Sequence, residues 1–341
     1  MTSQDISEKM ERTPDRNLAL ELVRVTEAAA LAAARWVGRG DKEAADQAAV
    51  DAMRLMLSTV EMDGIVVIGE GEKDQAPMLY NGEKLGTGRP PRVDIAVDPI
   101  DGTRLTAQGR PGALSVVAVA ERGTMFDPKH LVYMRKIAVG AEAKNVIDIT
   151  DTVENNLKRI ADALNKPVSE ITVMVLDRPR HKELIEEIRR AGARIRLIMD
   201  GDVAAAITAA MPDTGIDVLM GIGGSPEAVV AAAALKCLDG GFQAMLWPRN
   251  EEEKRLAEER GLDLNQVLTI DDLVRSDNVF FALTGITTGE LVEGVKYVGW
   301  GAITESLVMR SRSGTIRRIR ALHRWDKLMK ISSVSYTQPK W

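Results

Sequence analysis

Apolar and polar positions follow two different rhythms along the chain. In the first, apolar residues recur at helical spacing over residues 17–37 and 42–60, which predicts two helices. Short apolar or alternating runs predict strands at residues 65–68, 93–97 and 114–120. Residues 75–92 are rich in glycine and proline, which is typical of a loop. The first rhythm therefore predicts helices layered on a sheet.

The rhythm changes at residue 151, where helical and strand patterns begin to alternate. Helices are predicted at residues 152–164, 181–191, 203–211 and 226–238, and strands at 172–176, 195–199, 217–220, 243–247, 279–283 and 315–322. Strands that alternate with helices at this spacing favour a parallel, doubly wound sheet. The predicted organisation is a flexible N-terminus at residues 1–16, an α+β domain at 17–150 and an α/β domain at 151–341.

Composition narrows the classes of function. The chain has 341 residues, 45% of them hydrophobic, which is enough for a large core. Its net charge of −5 and the lack of a long basic block argue against nucleic-acid binding. Cys237 is the single cysteine, so no intramolecular disulfide is expected. No apolar run reaches about 18 residues, so we expect a cytoplasmic protein with no membrane partner.

The run Asp98-Pro-Ile-Asp101-Gly-Thr103 is the most informative feature of the sequence. Its two carboxylates stand three positions apart at the corner where a strand meets a loop, and Gly102 lets the backbone approach a ligand. Mg²⁺ prefers oxygen ligands, and the hydroxyl of Thr103 beside them can position a water. The run suggests metal-dependent phosphate chemistry, and a plain Asp-Gly turn after a strand is the structural alternative.

Polar clusters follow three successive strands of the second rhythm. They are Asp177-Arg-Pro-Arg180, Asp200-Gly-Asp202 and Gly221-Ile-Gly-Gly-Ser-Pro-Glu227. Ligands of open α/β sheets bind at the carboxyl ends of the parallel strands. Helix capping explains Asp202 or Ser225 singly, but it does not require paired arginines and Glu227 at the same edge. A binding cleft is therefore predicted at this edge.

Two further acids lie in the N-terminal part of the chain, before residue 151. Asp46 lies near the start of a helix, where acids favour the helix dipole, and Glu70 lies in a glycine turn, so each has a structural explanation on its own. Together with Asp98, Asp101 and Glu227 they form an all-oxygen set suited to Mg²⁺ or Mn²⁺.

The sequence lacks the motifs of several other kinds of site. The Gly221-Ile-Gly-Gly224 run lacks the third glycine of a dinucleotide fingerprint, which disfavours a dinucleotide-dependent oxidoreductase. The three histidines, His130, His181 and His323, show no metal-ligand spacing, so a zinc site is not expected. Neither a P-loop nor a Gly-x-Ser-x-Gly elbow is present.

Taken together, the motifs resemble those of class II fructose-1,6-bisphosphatases, a branch of the lithium-sensitive phosphatase superfamily. The resemblance runs from about residue 20 to residue 325. It is carried by Trp36-Val-Gly-Arg-Gly-Asp-Lys42, Val67-Ile-Gly-Glu-Gly-Glu72, Ala76-Pro-Met-Leu-Tyr80, Asp94-Ile-Ala-Val-Asp-Pro-Ile-Asp-Gly-Thr103, Asp177-Arg-Pro-Arg-His181, Asp200-Gly-Asp202, Gly221-Ile-Gly-Gly-Ser-Pro-Glu227 and Ala282-Leu-Thr-Gly-Ile286. It implies a sugar-phosphatase fold, an αβαβα layered sandwich with a mixed N-terminal sheet and a mostly parallel C-terminal sheet.

The resemblance also implies roles for individual residues. The implied metal ligands are Asp46, Glu70, Asp98, Asp101 and Glu227. Thr103 matches the residue that helps to activate the attacking water, and Lys42 lies near the metals on the same motif as a second catalytic residue. The implied substrate-binding residues are Asp101, Gly102, Thr103, Tyr133, Arg178, Pro179, Arg180, Asp200, Gly201, Asp202 and Gly224. The family has Glu or Asp as its second motif acid, and this chain has Asp101, which is one methylene shorter than Glu.

The implied activity is hydrolysis of fructose-1,6-bisphosphate to fructose-6-phosphate and phosphate, a step of gluconeogenesis. It would use Mn²⁺ or Mg²⁺, be sensitive to lithium and take a sugar bisphosphate as its small-molecule partner, in a homo-oligomer (dimer or tetramer). Sedoheptulose-1,7-bisphosphate is an alternative substrate, followed by inositol or nucleotide phosphates. Arg178 and Arg180 favour a substrate with a second anionic group. A non-catalytic sugar-phosphate sensor is disfavoured because it has no need of five aligned metal ligands.

Overall fold

The computed structural model describes residues 18–71, 78–128, 133–259, 261–332, 334 and 336. The N-terminus predicted at residues 1–16, His130 and part of the predicted loop lie outside the described residues. The helices are α1 (Ala19–Ala33), α2 (Lys42–Leu57), α3 (Thr103–Gln108), α4 (Val153–Ala163), α5 (Lys182–Arg190), α6 (Asp202–Ala210), α7 (Ser225–Leu238), α8 (Glu251–Glu259), α9 (Ile270–Leu273) and α10 (Trp325–Leu328).

The strands form two sheets. They are β1 (Asp63–Ile68), β2 (Lys84–Leu85), β3 (Arg92–Asp101), β4 (Leu114–Glu121), β5 (Tyr133–Val139), β6 (Thr172–Leu176), β7 (Arg194–Ile198), β8 (Val218–Gly224), β9 (Gly241–Leu246), β10 (Leu268–Thr269), β11 (Phe280–Gly285), β12 (Lys296–Val298), β13 (Gly301–Arg310) and β14 (Thr315–Arg324). Within the described ranges, no helix is long and apolar enough to cross a membrane.

The first sheet is mixed, as expected. Its order is β12-β13-β11-β4-β3-β1-β2, with β14 paired to β13. The β1–β3 pair is parallel, whereas β3 with β4, β4 with β11, and β11 with β13 are antiparallel. Strands from both ends of the chain therefore share this sheet.

The second sheet has the order β10-β9-β5-β8-β6-β7. Strand β6 runs parallel to both β7 and β8, and β5 runs antiparallel to both β8 and β9. The four strands that the sequence predicted here, β6 to β9, thus all run in one direction. The sheet as a whole is mixed, because β5, which the pattern did not reveal, lies between β8 and β9 in the opposite direction, and β10 pairs antiparallel to β9.

The layers follow from the apolar faces of the helices. Helices α1 and α2 pack through residues such as Leu22 and Met53 on one face of the first sheet, against Ile95. Helices α6 and α7 fill the space between the two sheets, and α4 and α5 cover the outer face of the second sheet. This arrangement confirms the predicted αβαβα layering and the mixed α/β class.

The two sheets do not divide the chain at residue 150. Strand β5 precedes that point and lies in the second sheet, whereas strands β11 to β14 follow it and lie in the first sheet. A division into an N-terminal unit at 17–150 and a C-terminal unit at 151–341 stays a prediction about folding units, and it does not coincide with the sheets.

Candidate active site

A bulge at the end of β3 brings the two acids of the Asp98-Pro-Ile-Asp101 run to one place. In a regular strand, residues three positions apart point to opposite faces of the sheet. Here the register between β3 and β4 shifts between Asp98 and Asp101. Pro99 has no N–H to donate to the ladder, and the Asp98 Oδ1 accepts a hydrogen bond from the Ile100 N–H at 3.1 Å. As a result both carboxylates line the same cavity.

The next residues turn the chain into α3. Gly102 adopts a left-handed conformation with φ of 95°, which favours glycine. Thr103 begins the helix, and its Oγ1 donates to the Ile100 carbonyl at 3.3 Å. The buried Asp101 reaches across to another element, where its Oδ2 accepts from the Ala204 N–H at 2.8 Å in the first turn of α6.

The start of α7 places Glu227. Gly224 precedes the helix and Glu227 lies in its first turn, where the positive end of the helix dipole favours an acid. The Glu227 Oε2 is buried without a hydrogen-bond partner among the described residues. A Cβ at position 224 would stand 1.8 Å from that oxygen, so glycine is what leaves room for the carboxylate.

These elements surround one polar cavity of about 310 Å³. It is lined by Lys42, Asp46, Gly69, Glu70, Val97, Asp98, Ile100, Asp101, Gly102, Thr103, Asp200, Gly201, Asp202, Pro226, Glu227 and Val230. The structure thus brings together all five predicted metal ligands, both predicted catalytic residues and the Asp200–Asp202 run. They come from α2, the bend after β1, the end of β3 and the starts of α3, α6 and α7.

Loss of hydration and mutual repulsion raise the pKa values of the five predicted metal ligands. Burial raises the pKa of Glu70 to about 7, and the charges of Asp46 and Glu227 add to the rise. Burial also raises the pKa of Asp46, and the positive charge of Lys42 opposes that rise. The cavity wall therefore holds more negative charge than its lysine offsets.

The deeper acids show the same causes. Burial is the main reason for the raised pKa of Asp98, followed by the charge of Asp101. Burial and then the charge of Asp202 raise the pKa of both Asp101 and Glu227, while Lys136 lowers that of Glu227. Such repulsion is relieved when a cation is bound among the carboxylates.

The donor set fits a divalent metal. All of its ligand atoms are oxygens, which Mg²⁺ and Mn²⁺ prefer, and the Glu227 Oε2 is buried with no protein donor among the described residues. No three His, Cys, Asp or Glu side chains in the described part of the chain already form a closed group around one point. The five acids therefore line one shared cavity and do not form a closed cage.

The sugar-binding acids predicted at 200 and 202 are each held by a base. Asp200 accepts from Arg104 through Oδ1 at 3.3 Å and Oδ2 at 3.4 Å, and from Arg178 at 3.3 Å. Asp202 Oδ2 accepts from the buried Lys136 Nζ at 2.6 Å. The acidic loop before α6 is thus fixed from two sides.

The other predicted substrate residues stand beside this cavity. Its lining, within the described ranges, does not include Tyr133, Arg178, Pro179, Arg180 or Gly224. The guanidinium of Arg180 donates twice to the Ile222 carbonyl, at 2.7 and 3.1 Å, and lies 4.9 Å from the ring centroid of Tyr133. Tyr133 in turn pairs with Gly224 across β5 and β8. Arg178 is connected to the cavity through its ion pair with Asp200.

Two residues of this site were missed from the sequence. Arg104 directly follows the metal motif, and its position next to Thr103 was the signal. Lys136 stands in β5 on the same side as the buried Met134 and Ala138, so a lysine at an inward position of an apolar strand was the signal there.

Comparison with known proteins assigns the family. Residues 16–323 match the model of the bacterial, glpX-encoded fructose-1,6-bisphosphatase family. The chain belongs to the class II fructose-1,6-bisphosphatases. It is 50% identical over 325 residues to fructose-1,6-bisphosphatase 1 class 2 of Escherichia coli, covering 92% of this chain and 96% of the relative. The class 2 fructose-1,6-bisphosphatase of Shigella flexneri matches with the same identity and coverage.

Membership confirms the resemblance found in the sequence. Class II fructose-1,6-bisphosphatases are phosphoric monoester hydrolases, and a divalent metal is implied for them. Among solved structures, the extragenic suppressor protein suhB from Bartonella henselae is similar to 57% of this chain and 73% of its own, with 15% sequence identity and a TM-score of 0.31. That likeness adds nothing to the assignment.

Proposed function

We propose that this protein hydrolyses fructose-1,6-bisphosphate to fructose-6-phosphate and phosphate with the help of divalent cations. The observation that carries the proposal is the single cavity in which five carboxylates and the Thr103 hydroxyl meet. Family membership supports the same substrate, since the relatives are named for it.

The acidic wall is the proposed metal site. Asp46, Glu70, Asp98, Asp101 and Glu227 would hold the cations, which when bound neutralise the phosphate dianion and polarise a water. Hydrolysis of a phosphate monoester is among the slowest uncatalysed biological reactions, so a site of this charge is needed to reach useful rates.

The hydroxyl of Thr103 is proposed to orient the attacking water. Its proton is directed at the Ile100 carbonyl, so its lone pairs face outward as acceptors. A water that donates to Thr103 Oγ1 is held with its own lone pair free for attack. Lys42 begins α2 at the cavity wall, where its ammonium attracts the phosphate dianion.

The remaining polar residues are proposed to select the sugar bisphosphate. Asp200 and Asp202 accept hydrogen bonds from sugar hydroxyls, with Gly201 between them as the turn. Arg178 holds the phosphate that is not cleaved, because a guanidinium matches phosphate oxygens in a bidentate way, and its bond to Asp200 places it next to the cavity.

Four further residues form the wall beside this cavity and are proposed to shape its far end. They are Tyr133, Pro179, Arg180 and Gly224. Arg180 is proposed to share the second phosphate with Arg178. Gly102 leaves space for the Leu105 side chain, and Gly224 leaves space for the Glu227 carboxylate.

Several finer points stay predictions. They are the preference between Mn²⁺ and Mg²⁺, inhibition by lithium, a role in gluconeogenesis, a cytoplasmic location and a homo-oligomeric state. Sedoheptulose-1,7-bisphosphate remains the alternative substrate.

Phosphate release from a panel of substrates tests the proposal. The panel contains fructose-1,6-bisphosphate, sedoheptulose-1,7-bisphosphate, fructose-6-phosphate and inositol-1-phosphate, each with Mn²⁺, Mg²⁺ or chelator. We expect release from the bisphosphates with metal only, and loss of that release in Asp98→Asn. Equal rates on inositol-1-phosphate, or no release with either metal, would contradict the proposal.

A further inference from the structure

Lys136 is a buried cation next to the active site that the proposed chemistry does not yet use. It is 4% exposed in the middle of β5, and its Nζ lies 2.6 Å from the Asp202 Oδ2. The two side chains are 3% and 10% exposed. Burying an ammonium is unfavourable unless it is paired, so Lys136 depends on its ion pair with Asp202.

The neighbouring strand, β8, has a glycine at the point where this ion pair needs space. A Cβ at Gly223 would stand 1.9 Å from the Asp202 Oδ2 and 3.1 Å from the Lys136 Nζ. The glycine is therefore required by the close approach of the two charged groups. Lys136, Asp202 and Gly223 come from three elements, β5, α6 and β8, and they close on one another.

The pair is in electrostatic contact with the acidic wall. The charge of Asp202 raises the pKa of Asp101 and Glu227, and the charge of Lys136 lowers that of Glu227. Asp202 lines the cavity, whereas Lys136 stands behind it and is absent from its described lining. In this cavity, Lys136 can therefore act on a bound molecule through Asp202 or through its charge.

We propose that Lys136 is a positioning residue which holds Asp202 for the substrate and offsets part of the negative charge of the metal site. The ammonium binds one carboxylate oxygen, Oδ2, and so leaves Oδ1 for a sugar hydroxyl. Its positive charge favours the phosphate dianion and opposes the binding of divalent cations. The inference rests on the proposed function for its substrate part, whereas its metal part stands on the acidic wall alone.

The proposal predicts that loss of Lys136 changes the affinity for divalent cations and the affinity for substrate in opposite directions. Without the ammonium, cations meet one more net negative charge and bind more tightly. The substrate meets the same charge as repulsion, and Asp202 loses its orientation, so the substrate binds more weakly. Damage to the fold would instead weaken both.

The test is Lys136→Met, studied by calorimetric titration with Mn²⁺ alone and by the KM and kcat for fructose-1,6-bisphosphate. We expect the Kd for Mn²⁺ to fall roughly 10-fold from the Coulombic change at partial burial. We expect KM to rise about 10- to 150-fold from loss of the charge-assisted contact, with kcat changed less. Weaker Mn²⁺ binding, or no change in either constant, would overturn the proposal.

Two further variants separate the effect of charge from the effect of structure. Lys136→Met combined with Asp202→Asn restores the net charge, so Mn²⁺ affinity should return to the wild-type value while KM stays high. Lys136→Arg keeps the charge and should keep the Mn²⁺ affinity. If the double variant still binds Mn²⁺ as tightly as Lys136→Met does, the charge effect is refuted. These two variants also carry the test if Lys136→Met does not fold.

Lys144→Met is the matched control. Lys144 forms a similarly short but more exposed ion pair, 2.7 Å from Asp239, near the opposite end of α7, which at 14 residues is about 20 Å long. Its loss should change neither constant. If the wild-type protein binds Mn²⁺ but does not hydrolyse the bisphosphate, the proposed function fails while the metal part of this inference is still decided by the titration.

Discussion

Replacing Gly224 with alanine should inactivate the protein without changing any charge. A Cβ at this position would stand 1.8 Å from the Glu227 Oε2 and 2.5 Å from its Cδ. Because ordinary contacts begin near 3.4 Å, the Glu227 carboxylate must move by about 1.6 Å. A displacement of about 1 Å at a reacting group can cost 10²-fold in rate, so we expect kcat to fall roughly 10²-fold or more.

The fold should tolerate the same change. Gly224 has φ of −63°, which any residue adopts, and the atoms in the way are the end of a flexible side chain. Alanine at a helix cap in place of glycine costs a few tenths of a kcal/mol to about 1 kcal/mol. The melting temperature should therefore shift by only a few degrees.

The assay compares kcat, KM and calorimetric Mn²⁺ affinity with those of a matched glycine. Gly140 also precedes a helical turn, with φ of −71°, and its Cβ would meet nothing nearer than 3.6 Å, so Gly140→Ala should be neutral. Gly224→Ala should also add nothing to Glu227→Gln in the double variant, because both act on one carboxylate. If Gly224→Ala keeps more than about a tenth of wild-type kcat at saturating Mn²⁺, the required position of Glu227 is refuted.

Three further predictions follow from the geometry. Thr103→Ala should lower kcat about 10²- to 10⁴-fold with little change in KM, measured by steady-state phosphate release, and the reverse pattern would assign Thr103 to binding. Arg178→Ala should raise KM about 10- to 150-fold for fructose-1,6-bisphosphate but not for a sugar monophosphate, and equal losses with a lower melting temperature would make the arginine a structural partner of Asp200. Burial raises the pKa of Glu27 to about 7, so the folded state binds this proton more tightly than the unfolded state does, and stability should fall as the pH rises from 4.5 to 7. In urea titrations Glu27→Gln should remove this fall, which is worth on the order of 3 kcal/mol. Identical pH profiles of wild type and variant would refute the prediction.

The sequence predicts some elements because their periodicity is clear. Helix α7 and strand β6 have unbroken apolar patterns, and both were predicted to within a residue. Strand β5 begins Tyr133-Met-Arg-Lys136 and carries two bases in succession, so it resembles no simple alternating strand. Its omission is why the second sheet was expected to be parallel.

The site was predictable as a set of residues rather than as a geometry. The resemblance assembled the five acids, and the structure places all of them on one cavity. The bulge between Asp98 and Asp101 depends on pairing with β4, which no local pattern contains. The roles of Lys136 and Arg104 depend on hydrogen bonds to Asp202 and Asp200, which lie more than sixty positions away in the sequence.

The hydrogen bond from the Ala204 N–H to the Asp101 Oδ2 gives the protein a built-in reporter of what the cavity holds. The amide lies at the start of α6, where no carbonyl of the preceding helical turn is available to it, so its protection from solvent depends on a carboxylate of the acidic wall. A cation that draws on Asp101 changes the electron density of the same carboxylate. The ¹⁵N chemical shift and the hydrogen-exchange rate of Ala204 should therefore follow metal occupancy in solution, without any substrate or chemical turnover.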